Sequence, residues 1–140
     1  MTQTAWAHLP NAKHIDWVIA SVKEHPEKWG AARDAAYYAA RGATFNETRN
    51  AAFDAARDAA KDAVWEAVWH AAFDAEWDSA WDSAWHAATG AILALIAHDD
   101  CAYMIESEVD EIKILAKLGD QKAILLLPAC IAYNETKELA

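Results

Sequence analysis

Residues 51–88 read AAFDAARDAAKDAVWEAVWHAAFDAEWDSAWDSAWHAA, and one four-residue rule, Ala-Ala-aromatic-acid, runs through the whole stretch. Its third position is Phe53, Arg57, Lys61, Trp65, Trp69, Phe73, Trp77, Trp81 and Trp85, and its fourth is Asp54, Asp58, Asp62, Glu66, His70, Asp74, Asp78, Asp82 and His86. An α-helix turns about 100° per residue, so a step of four overshoots one turn by about 40°, and nine steps carry the aromatic stripe once around the helix. An ordinary amphipathic helix keeps one fixed face buried. Here the buried direction rotates along the axis, with a period above 3.6 that winds right-handed rather than in the left-handed sense of a heptad. A helix of this kind needs different partners in succession and is expected to be central. Arg57 and Lys61 should face water beside Asp54, Asp58 and Asp62. Burial should begin near Trp65 and be heaviest from Trp77 to Trp85, with the winding Asp column supplying acceptors for the indole N–H groups.

Composition supports a helical reading outside the repeat. Of 140 residues, 35 are Ala and eight are Trp, whereas Gly and Pro together number seven. Ala is the strongest helix former, and an all-β chain needs more turn residues than this. The expected fold is a single all-α domain over 1–140, with about six helices around a long Ala/Trp-rich central helix. Its parts are the N-terminal helices (1–43), the repeat helix (44–89) and the C-terminal helices (90–140).

Moving outward from the repeat, Asn11 is placed to cap a first helix reaching about Glu24, with Ile15, Val18, Ile19 and Val22 on one face. Pro26 suits the first turn of a second helix carrying Trp29, Ala32, Ala36, Tyr37 and Ala40, which Gly42 should stop. Thr44 and Glu47 form a capping-box pattern for the third. No Gly or Pro then intervenes between Phe45 and Gly90. One helix over that span would run about 66 Å, against a radius of gyration of about 14 Å for a globule of this size. A continuous spine is preferred over a break at Ala75 to Ser79. Gly90 is read as a hinge into an apolar helix from Ala91 to Ile105. Ser107 with Asp110 should cap a short helix ending at Gly119, and Asp120 the last helix, which Pro128 should kink near Leu125.

Charge excludes one class of partner. Twelve basic against 22 acidic residues leave a net charge of −10, which repels phosphate backbones and anionic lipid. Neither direct nucleic-acid binding nor a membrane partner is expected. The N-terminus lacks the basic start and apolar run of a signal peptide, and the longest apolar runs are too short to cross a bilayer. With Cys101 and Cys130 read as free thiols, the expected location is the cytoplasm.

Two groups of residues are candidates for ligand binding. Trp77, Trp81 and Trp85 with Asp78, Asp82 and His86 place aromatic rings beside acids and an imidazole, a combination that grips a base or ring. His98, Asp99 and Asp100, next to Cys101, form the densest polar cluster, set inside an apolar run where polar groups must surface or be satisfied internally. Glu66, His70 and Asp74, like Asp78, Asp82 and His86, have an i, i+4, i+8 spacing open to a metal, but the repeat forces that spacing and no metal or other cofactor is predicted. The chain has no nucleophile elbow, phosphate-binding Gly loop, HExxH or dinucleotide fingerprint, so no catalytic residue is assigned.

The Ala-Ala-x-Asp repeat is followed by ALIAHDDCAY (Ala94 to Tyr103) and LGDQKAILLLPA (Leu118 to Ala129). Together they resemble small helical Ala/Trp/Asp tetrapeptide-repeat proteins of phages and prophages, over about residues 30–133. The resemblance implies a phage accessory protein in the host cytoplasm that counters host defence, either by sequestering a small nucleotide-like signalling ligand or by blocking a host defence protein. Two other classes stay open: a metal-dependent or acid/base enzyme centred on His98, Asp99 and Asp100, and a structural homo-oligomer.

Overall fold

The computed structural model describes residues 6–7, 9–39, 50–52, 54–55 and 84–136, together with the backbone of 79–83 and 137. Its helices are α1 (Ala12–Glu24), α2 (Pro26–Ala39), α3 (Ser79–Ala97), α4 (Tyr103–Glu106), α5 (Val109–Lys117) and α6 (Gln121–Lys137), and no strand occurs among the described residues. The fold is all-α, a single compact helical arrangement. Gly42, the Thr44–Glu47 capping box, the repeat from 56 to 78 and the question of a break at Ala75 to Ser79 lie outside the described residues.

The last part of the repeat occupies the centre. From Ala84 to Ile96 every side chain is buried except His86. A helix buried on all sides has to be surrounded. α3 packs against α2, α6 and α1. Small residues make the approach close: Ala84, Ala87, Ala88, Ala91 and Ala94 are all within the core. Gly90 is not a hinge. The backbone is helical through it, and a Cβ there would stand 3.2 Å from Leu125 Cδ2, so α6 passes close to α3 here and an added methyl would press on the Leu125 side chain. The expected apolar helix from Ala91 to Ile105 is likewise corrected: α3 ends at Ala97, a turn follows, and α4 is a separate short helix.

α1 buries Ile15, Val18, Ile19 and Val22, the stripe its periodicity indicates. α2 starts at Pro26 and buries Trp29, Ala32 and Ala36, leaving Tyr37 and Tyr38 exposed. Trp29 is fully enclosed, and its indole Nε1–H donates to Ser21 Oγ at 2.9 Å, tying α2 to α1 through a buried polar pair. At the start of α6, Ala123 N–H donates to Asp120 Oδ1 at 2.9 Å, the cap expected of Asp120. Pro128 lies inside α6, which continues to Lys137.

Two expected caps do other work. Ser107 does not cap α5; its hydroxyl donates to Tyr103 O at 2.8 Å and so closes the end of α4. Asn11 makes no side-chain cap on α1. Its Nδ2 donates instead to Leu95 O at 2.9 Å and His98 O at 2.7 Å, 84 and 87 positions away. Leu95 lies in the last turn of α3 and His98 directly after it, where a helix has no intrahelical donors left. A buried amide thus caps the C-terminus of the central helix from another part of the chain.

Candidate functional site

Of the residues expected to bind ligand, the side chains of Trp85, His86, His98, Asp99 and Asp100 are among those described. Trp77 and Asp78 lie outside the described residues, as do the side chains of Trp81 and Asp82. Trp85 is buried in the core and His86, its neighbour on α3, is exposed. His98, Asp99 and Asp100 follow the C-terminal end of the same helix, twelve positions beyond His86 and so about 18 Å further along the axis.

The His98–Cys101 segment is the turn that ends α3. The carbonyl of His98 accepts from Asn11, and the Cys101 thiol donates to Ala94 O at 3.5 Å and His98 O at 3.4 Å. Burial pushes the Cys101 thiol up from 9.0 to about 11, which leaves it protonated and unreactive at neutral pH. Asp99 and Asp100 are exposed. The Asp100 carboxylate pairs with Lys122 Nζ at 3.2 Å, and that hydrogen bond, with the lysine charge, holds its carboxyl below the ordinary range. The cluster therefore docks α3 to the start of α6. Among the described residues no group of three or more His, Cys, Asp or Glu side chains is arranged to hold a metal ion.

A different set of residues forms a cleft of about 220 Å³, lined by Lys13, His14, Trp17, Ile105, Glu106 and Tyr133. Three elements converge on it. Lys13, His14 and Trp17 lie on α1 at i, i+1 and i+4, Ile105 and Glu106 end α4, and Tyr133 comes from α6. Helical spacing puts Lys13 and His14 one turn before Trp17, on the same side of α1, so a cation and an imidazole line the cleft with its ring.

The aromatic walls are held in place by their own contacts. Trp17 meets Tyr133 edge to face, with centroids 5.5 Å apart at 70°, and leans on Trp29 at 5.9 Å. Ile105, fully buried, makes an apolar floor. The end of α4 is pinned to α6 by Asn134 Nδ2, which donates to Ser107 O at 3.1 Å, and by the Cys130 thiol, which donates to the same oxygen at 3.4 Å. Tyr133 adjoins Asn134, so the groups that hold α4 also fix the Tyr133 wall. Trp6 steadies the far side of α1, donating from Nε1 to Asp16 Oδ1 at 2.8 Å.

The sequence reading missed this site, although one signal for it was present. Trp17 falls off the Ile15–Val18–Ile19–Val22 stripe that α1 buries, and a large aromatic outside the core-facing stripe needs another surface to cover it. Tyr133, at the end of the apolar run of α6, carried no signal that it would meet Trp17. Comparison of the chain with protein-family models, curated proteins and solved structures finds no match.

Proposed function

We propose that this chain is a non-enzymatic binding protein that sequesters a small ring-bearing molecule in the Trp17–Tyr133 cleft. The observation that carries the reading is the cleft itself: an edge-to-face Trp17–Tyr133 wall with Ile105, lined also by Lys13 and His14 from α1 and Glu106 from α4. Its 220 Å³ falls below the roughly 300–1,000 Å³ of pockets that enclose a whole drug-sized ligand. It therefore takes one ring, with the rest of the molecule outside. Stacking on an aromatic side chain contributes about 1–3 kcal/mol per base. Lys13 suits a single anionic group beside that ring, while Glu106 suits a ring or exocyclic N–H. The −10 charge of the chain disfavours ligands bearing many phosphates.

The resemblance to phage and prophage repeat proteins supplies the setting: a phage accessory protein that counters host defence by holding a nucleotide-like signalling ligand. Blocking of a basic host protein by an acidic face is the other form of that reading. The enzyme reading centred on His98, Asp99 and Asp100 has less support, because Asp99 and Asp100 are exposed and the Asp100 carboxylate is engaged by Lys122.

Native mass spectrometry of the protein recovered from cells that express it tests the proposal, with AMP titration followed by tryptophan fluorescence as the direct probe. A retained small molecule, lost in Lys13→Glu and Glu106→Lys proteins of unchanged unfolding midpoint, is the expected result. No retained molecule and no AMP response up to millimolar concentration would refute sequestration at this cleft.

A further inference from the structure

The exposed large apolar residues of the described chain are concentrated on one side. Tyr37 and Tyr38 near the end of α2, and Ile114 and Leu118 on and after α5, account for four of the five, with Tyr38 66%, Ile114 59% and Leu118 78% exposed. Between α2 and α5 runs a broad groove of about 640 Å³, lined by Tyr38, Ala39, Asp110, Lys113, Ile114 and Lys117. The four α5 residues are spaced i, i+3, i+4 and i+7, which is one stripe of a helix. Ile112 and Ala116, on the other side of α5, are buried. The stripe thus lies opposite the buried side of α5, with Asp110 at one end, Lys117 at the other, and Ile114 beside the Lys113 stem in the middle.

That order of charges makes the stripe complementary to itself in one orientation only. In a parallel pair, Lys117 would face Lys117 and Asp110 would face Asp110. In an antiparallel pair related by a two-fold axis through the middle of the stripe, position 110 faces 117 and position 113 faces 114. Each copy's Asp110 then meets the other's Lys117, each Ile114 packs on the aliphatic stem of the other's Lys113 beside the axis, and the exposed Tyr38 rings flank them. Isologous two-fold contacts of this kind are the commonest way soluble chains pair. We propose that the α5 stripe is the interface of a homodimer, antiparallel across α5, with Asp110 of each copy paired to Lys117 of the other.

The dimer is weak by construction. A nine-residue helix is about 14 Å long, so the contact falls short of the roughly 800 Å² per partner of stable complexes. The −10 charge on each copy opposes association as well. Dissociation is expected in the micromolar range, and the interface is separate from the Trp17–Tyr133 cleft.

Sedimentation velocity of the full chain, from low micromolar to near-millimolar concentration, reads the association directly. The wild type is expected to pass from monomer to dimer across that range. Asp110→Lys or Lys117→Asp alone should weaken it about tenfold, because each symmetric pair becomes a like-charge contact twice over. The double swap Asp110→Lys/Lys117→Asp restores the pairing in reverse and should return the dissociation constant to near the wild-type value. Ile114→Asp should remain monomeric throughout while keeping the wild-type circular dichroism and unfolding midpoint. A wild type that stays monomeric at the highest concentration would overturn the proposal. So would a dimer insensitive to Ile114→Asp, or one that the double swap fails to restore.

Discussion

Asn11 offers the sharpest test of how this fold is held, because two readings of the residue predict opposite outcomes. As an N-cap of α1, Asn11 would be replaceable by Asp, which is an equally good cap. In the structure it is 4% exposed and spends both amide hydrogens on α3, donating to Leu95 O at 2.9 Å and His98 O at 2.7 Å. Asn11→Ala removes both bonds. Each contributes about 0.5–1.5 kcal/mol net, and a buried acceptor left without a donor costs about 1–3 kcal/mol. His98 O keeps the Cys101 thiol at 3.4 Å, a weak donor, so it is only partly orphaned. The expected loss is about 2–4 kcal/mol, read as a fall of roughly 6–12 °C in the thermal midpoint at about 3 °C per kcal/mol for a domain of this size. Asn11→Asp should be worse still at pH 7. A carboxylate has no hydrogen to donate, and it would face two carbonyl oxygens at the negative end of the α3 dipole. That environment raises the carboxyl's pKa in the folded state above its unfolded value. The stability of this variant is therefore greatest below the unfolded pKa, near 3.9, and is lost as pH rises through the higher folded value. Urea denaturation followed by far-ultraviolet circular dichroism, at pH 7 and pH 4, gives the comparison. If the Asp protein equals or exceeds the Ala protein at pH 7, the clasp between Asn11 and α3 is not what holds this end of the helix.

Ser21→Ala leaves the enclosed Trp29 indole without its acceptor at 2.9 Å, and a loss of about 1–3 kcal/mol in urea denaturation is expected; Ser21→Thr, which keeps the hydroxyl, should lose less. Cys101, its thiol raised from 9.0 to about 11 by burial, should resist iodoacetamide in the native protein at pH 8 and react once the chain is unfolded. Because its folded pKa lies above the unfolded one, its contribution to stability is complete below about pH 9 and falls away toward pH 11; Cys101→Ala should flatten that part of the stability–pH curve.

Local chemistry made much of the architecture legible. The stripe of Ile15, Val18, Ile19 and Val22, the start of α2 at Pro26 and the cap at Asp120 each rest on interactions within one helical turn or two. The Ala-Ala-aromatic-acid repeat announced a helix with no single outer face, and its described end, 84–88, is buried except for His86, while the burial of 89–96 follows from the apolar run beyond the repeat. The candidate site was much less legible. His98, Asp99 and Asp100 stood out because polar groups in an apolar run are unusual, but a chain reversal after a buried helix needs such groups for purely structural reasons. The cleft residues, by contrast, come from three helices, and nothing in the spacing of Trp17 and Tyr133 says that their rings meet.

The sequence by itself determined helix class and the close-packed character of the core, because Ala content, the scarcity of Gly and Pro, and a four-residue period act through local propensity and side-chain size. Only the tertiary structure decided which polar group answers which helix end, which residue of α6 lies against Gly90, and where an aromatic wall stands open beside Lys13 and His14. Asn11 and Leu95 are 84 positions apart, and Gly90 meets Leu125 across a helix pair. Such pairings depend on how whole faces seat against one another, and burial energy selects among those seatings without leaving a local mark on the residues that end up in contact.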